Sequence, residues 1–420
     1  MSAVPGKVGW PIVGDQSYSF YRDPTSFIEQ NFSNHQSRIF KARFLNKPTV
    51  FVGSNKGVQD VLNDDSSALE MGYRAFMYQI YGDNILFMND EESIEVRKCL
   101  CKLFTTHSIE DYQKTIDAIT SKYLNDIDTS KPLCVYSVLK QLATEICLSL
   151  FLDLDFAHSK DLAVQISSLT KTHWHGIVSV PLNLKLPMGN SSTFGKALEA
   201  KASLLKVIEE KLQQKSGFTH KMEGLSFPNS SYIQNHLLLF TSALVPKAIA
   251  SLLTSFITAT GQHDQVFCQD DLLFDNALME SVLLEVERLY PPFIGGRRVA
   301  RKDCVIGGYH IEEGQALVYL SHSAHRDPDV FKDPEKFDPG RWTNGNAKDK
   351  EKLFCFGAGP RACIGKNFVN IIVHTILKQF LQQFRWKLVD NQDLSPKWLP
   401  VSRPREAVMV QISREQESML

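Results

Sequence analysis

The chain has 420 residues, 43% hydrophobic and 22% charged, with 46 basic against 47 acidic side chains and a formal net charge of −1. That balance suits a soluble globular protein with a large core, and it lacks the basic excess or basic tail of a nucleic-acid binder. Eight cysteines in so long a chain show no framework spacing, and Cys99 and Cys101 stand too close together for a zinc pair, so mostly free thiols and a reducing compartment are expected.

No Pro/Gly/Ser linker or long charge run divides the sequence, which predicts one large domain over 1–420 with a Pro/Gly-rich N-terminal segment, 1–14. The chain opens without an apolar run long enough for a signal peptide, and no transmembrane segment is expected; localisation is read as cytoplasmic or peripheral to an intracellular membrane. Ile39–Phe44 and Thr49–Val52 are β-prone runs joined by Leu45-Asn46-Lys47-Pro48, a hairpin pattern. From about 55 to 290 the periodicity is mainly helical, with turns at 82–84, Pro181, 187–190 and Gly217. Within it, an apolar run from Tyr232 to Ile257 predicts one long helix, kinked where Pro246 removes the bond to the carbonyl of Ser242. Helical spacing from Ala277 to Leu289 puts Glu285 and Arg288 on one face. Strand-prone runs follow at 304–311 and 316–319. The chain then reaches Phe337-Asp338-Pro339-Gly340-Arg341-Trp342. The overall expectation is mainly α with small β-sheets.

The most informative stretch comes near the end: Phe356-Gly357-Ala358-Gly359-Pro360-Arg361-Ala362-Cys363-Ile364-Gly365. Its glycines permit a tight loop with N–H groups turned toward a sulfur anion, and Arg361 adds a cation. From Asn367 onward the apolar residues recur at helical spacing, so Cys363 lies at a helix start, where negative charge is favoured.

This run resembles the heme-binding loop of the cytochrome P-450 superfamily, F-G-x-G-x-R-x-C-x-G, at every defined position, and the resemblance extends over residues 9 to 413. It implies the cytochrome P-450 fold and heme b (iron protoporphyrin IX) as cofactor. By the same resemblance Cys363 is the catalytic axial thiolate, Phe356 packs on the sulfur side, Arg361 holds a propionate and Gly365 is a further cofactor-binding position. Thiolate ligation pushes electron density toward the iron and favours O–O cleavage. The 277–289 helix and the 337–342 segment resemble the family's E-x-x-R helix and its F-x-P-x-R-[FW] meander, which assigns Glu285, Arg288 and Arg341 to a structural network. Arg298, five residues before Asp303, and Arg97, in Val96-Arg97-Lys98, match further propionate ligands, although the Trp or His usual four residues before the latter is Ser93.

The decisive departure is at Leu237–Ala248, where the family writes [AG]-G-x-[DE]-T-[TS]. Thr241 and Ser242 fill the small positions, while Leu244 and Val245 stand for the acid and the alcohol that relay protons to dioxygen. Three readings follow: an enzyme taking oxygen already reduced (a fatty-acid hydroperoxide isomerase or lyase, or a peroxygenase independent of a reductase), a monooxygenase with another proton route, or a non-catalytic heme-binding or sensor protein. Lys247 is a candidate partner for a substrate carboxylate. Phe87, Leu239, Ala243, Leu244, Phe293 and Val401 are candidates to line a pocket for a lipophilic small molecule. Lys98, Lys102, Arg361 and Lys366 would make the thiolate side basic, suited to an acidic electron donor, a reductase or ferredoxin.

Overall fold

A computed structural model describes residues 2–64, 67–184, 191–263, 268–343 and 347–415; the turn expected at 187–190 lies outside them. The chain forms two compact units, Met1–Gly72 with Phe274–Cys363 and Pro396–Arg403, and Tyr73–Leu273 with Ile364–Ser395 and Pro404–Leu420. Each draws on three separate stretches of sequence, so no linker cut divides them.

The first unit is built on a five-stranded sheet. Ile39–Phe44 pairs antiparallel with Lys47–Val52 in the expected hairpin, Ile39 opposite Val52 and Phe44 opposite Lys47. Lys47–Val52 runs parallel to Ala316–Tyr319, which continues to Gly296–Ala300 and then Leu69–Met71. Alternation of side chains splits the hairpin's apolar residues between two clusters. Ile39, Val50 and Val52 pack with Val58, Val61 and Leu62 of the helix Asn55–Leu62, whereas Phe40, Ala42 and Phe51 pack with Phe20, Phe27 and Trp398. A sheet covered on both faces holds its strands in fixed places.

The second unit is helical. Its long members include Thr106–Asn125, Val135–Leu152, Thr193–Gln213, Leu244–Gln262 and Lys366–Gln383, with a three-stranded sheet of Leu133–Cys134, Phe384–Leu388 and Met409–Arg414. Aromatic rings knit the helices: Phe151 lies 4.9 Å from Phe218, 5.6 Å from Phe240 and 5.4 Å from Phe368. Two stretches, Val135–Leu152 and Ser231–Gln262, are long and apolar enough to cross a membrane by length and composition. Most of each is packed inside this unit, and a helix buried on most sides has the composition of a span.

The single helix expected over 232–257 is corrected. Ser231–Phe240 ends, Thr241–Ala243 form a turn, and a second helix runs from Leu244 to Gln262. The break precedes Pro246 rather than bending beside it, because a residue without an N–H is tolerated in a first turn and costly inside a helix.

Candidate functional site

Cys363 sits on the loop between Phe354 and the helix Lys366–Gln383. The N–H of Gly357 donates to the carbonyl of Phe354 at 3.0 Å, that of Ala362 to Gly359 at 3.1 Å, and that of Cys363 to Phe356 at 2.8 Å. Gly357 and Gly359 have φ of +68° and +61°, where a side chain is strained, and a Cβ on Gly359 would lie 2.5 Å from the carbonyl oxygen of Leu62. The loop is therefore shaped by backbone bonds and seated on the end of the helix Asn55–Leu62. It leaves Cys363 exposed. Gly365 is the N-cap of the following helix, so the cysteine stands just outside the helix rather than in its first turn.

Behind the loop, Glu285 on the helix Asn276–Leu289 is wholly buried and accepts five hydrogen bonds. Arg288 donates through Nε and Nη2 at 2.9 and 2.8 Å, Arg341 through Nε at 3.1 Å, the indole of Trp342 at 3.0 Å and the Asp338 backbone at 2.8 Å. Arg288 spends its remaining donors on the carbonyls of His325, Pro334 and Lys336. The three charged residues expected to meet do so, and both carboxylate oxygens of Glu285 and every guanidinium nitrogen of Arg288 have partners, as a buried ion cluster requires. Sequence reasoning missed Trp342 as a member, although the residue lay within the motif it quoted.

It also missed His325. This fully buried imidazole donates from Nδ1 to the carbonyl of Arg288 at 3.2 Å and accepts the Phe354 N–H at Nε2 at 2.6 Å. Burial, then the neighbouring Arg326, push its pKa down to about 3, so it stays neutral and keeps the tautomer both bonds need. Asn55 adds a second brace, donating from Nδ2 to Ala324 and Lys352. A continuous line of bonds thus runs from Glu285 through Arg288, His325 and Phe354 to the first turn of the cysteine loop.

A metal centre built from side chains alone needs several donors in one place. Among the described residues, no group of three or more His, Cys, Asp or Glu is placed to hold a metal ion. A lone exposed thiol suits a metal whose other ligands come from a macrocycle, and does not suit tetrahedral zinc. Arg298, on the strand Gly296–Ala300, is buried; it donates to the carbonyl of Arg297 at 3.0 Å and lies 5.2 Å from the Tyr319 ring centre. Among the described residues no carboxylate is within ion-pair reach of it. A buried cation without a counter-ion is costly, and a ligand carboxylate would relieve that cost. Phe293 is half-buried and Val401 buried in this unit; Phe356 and Arg361 are half-buried on the loop.

In the second unit, the turn Thr241–Ala243 commits both of its hydroxyls internally. Thr241 donates to the carbonyl of Leu237 at 2.8 Å, and Ser242 Oγ shares a 2.5 Å hydrogen bond with the phenol of Tyr81 and lies 3.3 Å from the N–H of Leu244. Burial raises the pKa of Tyr81 far above the ordinary phenol, so it keeps its proton. His236 is also locked: Nδ1 donates to the carbonyl of Tyr232 at 2.6 Å and Nε2 accepts the Ile85 N–H at 3.1 Å, fixing the 82–89 loop on this helix. Burial pushes the pKa values of His236 and His173 down to about 4. Between Ser231 and Gln262 the chain has neither Asp nor Glu. Lys247 lies with its ammonium 4.5 Å from the ring centre of buried Trp174. Leu239 and Leu244 flank the turn and Ala243 ends it, Phe87 is buried at the end of the pinned loop, and Arg97 is half-buried on the helix Asp90–Cys101, one turn after Ser93.

The family model described as cytochrome P450 matches residues 4–228 and 238–412. Cytochrome P450 120 of Synechocystis sp. is 26% identical, over 97% of this chain and 96% of its own length. Beta-amyrin 28-monooxygenase of Medicago truncatula is 24% identical, over 94% and 91%. Among solved structures, a retinoic-acid-bound cyanobacterial CYP120A1 superposes with a TM-score of 0.84 at 24% identity, covering 98% of this chain and 99% of that one.

Proposed function

This chain belongs to the cytochrome P450 family, and from that premise we propose that it oxidises a lipophilic small molecule at a heme–thiolate centre, with its oxygen supplied as hydrogen peroxide or an organic hydroperoxide. Heme b is the family's cofactor. Cys363 is proposed as its axial ligand, Arg298, Arg97 and Arg361 as partners of its propionates, and Phe356 as the group beside the sulfur. When bound, the heme supplies the iron at which an oxygen atom becomes reactive toward carbon.

The observation that carries the oxygen source is the 231–262 segment. Reducing dioxygen to insert one atom into a C–H bond consumes two electrons and two protons and releases water, so protons must be delivered. Inserting the terminal oxygen of an organic hydroperoxide into C–H yields two alcohols, and inserting one oxygen of hydrogen peroxide yields an alcohol and water; neither reaction consumes added electrons or protons. A segment without a carboxylate, with both turn hydroxyls committed and its nearby imidazoles neutral, is poor at the first and sufficient for the second. The chain's own groups bind, orient and exclude water. An apolar ligand is favoured by the apolar side chains of Phe87, Leu239, Ala243 and Leu244, proposed to line its pocket, and by relatives named for beta-amyrin oxidation.

The reductase-driven reading is favoured by the naming of those relatives as monooxygenases. Turnover of the holoprotein with NADPH and a reductase, set beside turnover with a fatty-acid hydroperoxide, separates the two. Hydroperoxide consumption with oxidised product and no reductase is expected. Efficient reductase-driven hydroxylation without hydroperoxide consumption overturns the proposal, and product by either route overturns a sensor without turnover.

Peripheral attachment to an anionic lipid surface completes the reading. The tight turn from Gly9 to Gly14 holds Ile12 at φ +66°, a strained value for a β-branched residue, and shows Trp10, Ile12 and Val13 to solvent at 82%, 79% and 90% exposure. Arg43 donates to the Gly9 carbonyl and the Ile12 N–H to Asn46, so the display is rigid. Tyr18, Tyr21 and Leu45 extend it, with exposed Lys7, Arg22 and Lys47 in the same stretches of chain. The protein should float with vesicles containing phosphatidylserine, and the triple change Trp10→Ser, Ile12→Asn, Val13→Asn should abolish flotation while leaving the heme spectrum unchanged. Equal flotation of the two proteins, or none by the parent, refutes the attachment.

A further inference from the structure

A cavity of about 70 Å³ opens in the first unit between the helix Pro24–His35, the residues just before the strand Ile39–Phe44, and the 322–335 segment. None of the residues assigned above to the heme or its supporting network lines it. Its walls include Arg38, His322, Ser323 and Arg326, with Glu29 and Glu335 at the rim.

Three of these walls carry hydrogen-bonding groups that the protein leaves unused. His322 is 6% exposed and packs edge-on against Trp398, ring centres 4.2 Å apart; neither ring nitrogen has a hydrogen-bond partner among the described residues. Burial, and then Arg326, His325 and Arg38, hold its pKa well below the ordinary value, so it is neutral and offers one N–H. Arg38 lies on the face of Phe32 and donates from Nη2 to the Ser323 carbonyl at 2.6 Å. Its Nε is 3.7 Å from Asp327, too far for a direct hydrogen bond, and its Nη1 engages no described group. The hydroxyl of Ser323, which is 5% exposed, also lacks a partner among the described residues.

Buried donors left unused in one place call for an acceptor. Charge decides what kind. Glu335 is held by Arg326 at 3.0 Å, and the Asp327 carboxylate faces Arg38, so each guanidinium already has an acid nearby. Glu29 is exposed, and water screens it. The inner wall therefore offers N–H and O–H donors from Arg38, His322 and Ser323, against which its own acceptors are only the second imidazole nitrogen and the Ser323 hydroxyl oxygen, itself able to donate. The volume holds a few waters and is far below what a drug-sized molecule needs.

We propose that this cavity is a binding site for a single small oxyanion, of carboxylate or phosphate size, held by the guanidinium of Arg38, the imidazole of His322 and the hydroxyl of Ser323. Charge-assisted bonds from a planar guanidinium are suited to both anions. Binding here stabilises the sheet-bearing unit without touching the cysteine loop.

The test is thermal unfolding of the holoprotein in rising sodium phosphate, sulfate or acetate against sodium chloride, at constant ionic strength. A saturable rise in the unfolding midpoint with phosphate, sulfate or acetate, beyond that with chloride, is expected, and which of them acts identifies the anion. Arg38→Gln and His322→Ala should abolish the saturable part with the heme absorption retained. Should either variant fail to fold, Ser323→Ala should weaken half-saturation by about tenfold. Equal responses to all four salts mean that water alone fills the cavity, and a saturable response that survives Arg38→Gln and Ser323→Ala places the anion elsewhere; either result overturns the proposal.

Discussion

Cys363→Ala is expected to remove the red-shifted absorption band that reduced, carbon-monoxide-bound heme shows with a thiolate ligand, and to reduce substrate oxidation to background. The side chain is exposed on its loop, and among the described residues no cluster of metal-binding groups offers a substitute. The loop itself should survive the change. Its shape comes from the backbone bonds of Gly357, Ala362 and Cys363 and from glycines in left-handed conformation, none of which needs the sulfur. Cys355, half-buried one residue before Phe356, is the internal control: Cys355→Ala should keep the band. Retention of the band in Cys363→Ala, or its loss in Cys355→Ala alone, would remove Cys363 from the iron.

Why the cysteine loop is legible in the amino-acid sequence, and the segment 231–262 only in part, follows from where the information lies. Loop shape depends on residues that have few alternatives: a glycine at φ +61° whose Cβ would strike Leu62 is legible as a glycine. The hairpin at 39–52 and the helix Asn276–Leu289 are equally local, written in alternation and in helical spacing. The break at Thr241–Ala243 is different. The local pattern allows both a helix bent at Pro246 and one ended and restarted before it, and the turn that is formed is also joined through Ser242 to Tyr81, 161 residues away. His325 is illegible for the same reason. It is an ordinary histidine in sequence, and its part depends on a carbonyl at 288 and an N–H at 354 meeting across it. Residues that act through backbone partners brought from afar leave no spacing to read.

Glu285→Ala is expected to cost roughly 3–5 kcal/mol of folding stability and to lower heme retention, because it leaves wholly buried Arg288 and mostly buried Arg341 as cations without their carboxylate. Removing the acid also strands the Trp342 indole N–H and the Asp338 N–H, each with a desolvation cost of about 1–3 kcal/mol where no water can reach. Arg341→Ala should cost less. Its guanidinium is partly exposed, and Glu285 would keep Arg288, Trp342 and Asp338. The damage from Glu285→Ala should also travel. Arg288, freed from its carboxylate, no longer fixes the carbonyl of His325, and His325 positions the Phe354 N–H from which the cysteine loop starts. Urea unfolding of the parent, Glu285→Ala and Arg341→Ala measures the first effect, and transfer of heme to apomyoglobin measures the second. Faster heme loss from Glu285→Ala than from Arg341→Ala is the ordering the bond line requires, and equal rates with equal unfolding midpoints would show that the cluster neither stabilises the unit nor supports the loop.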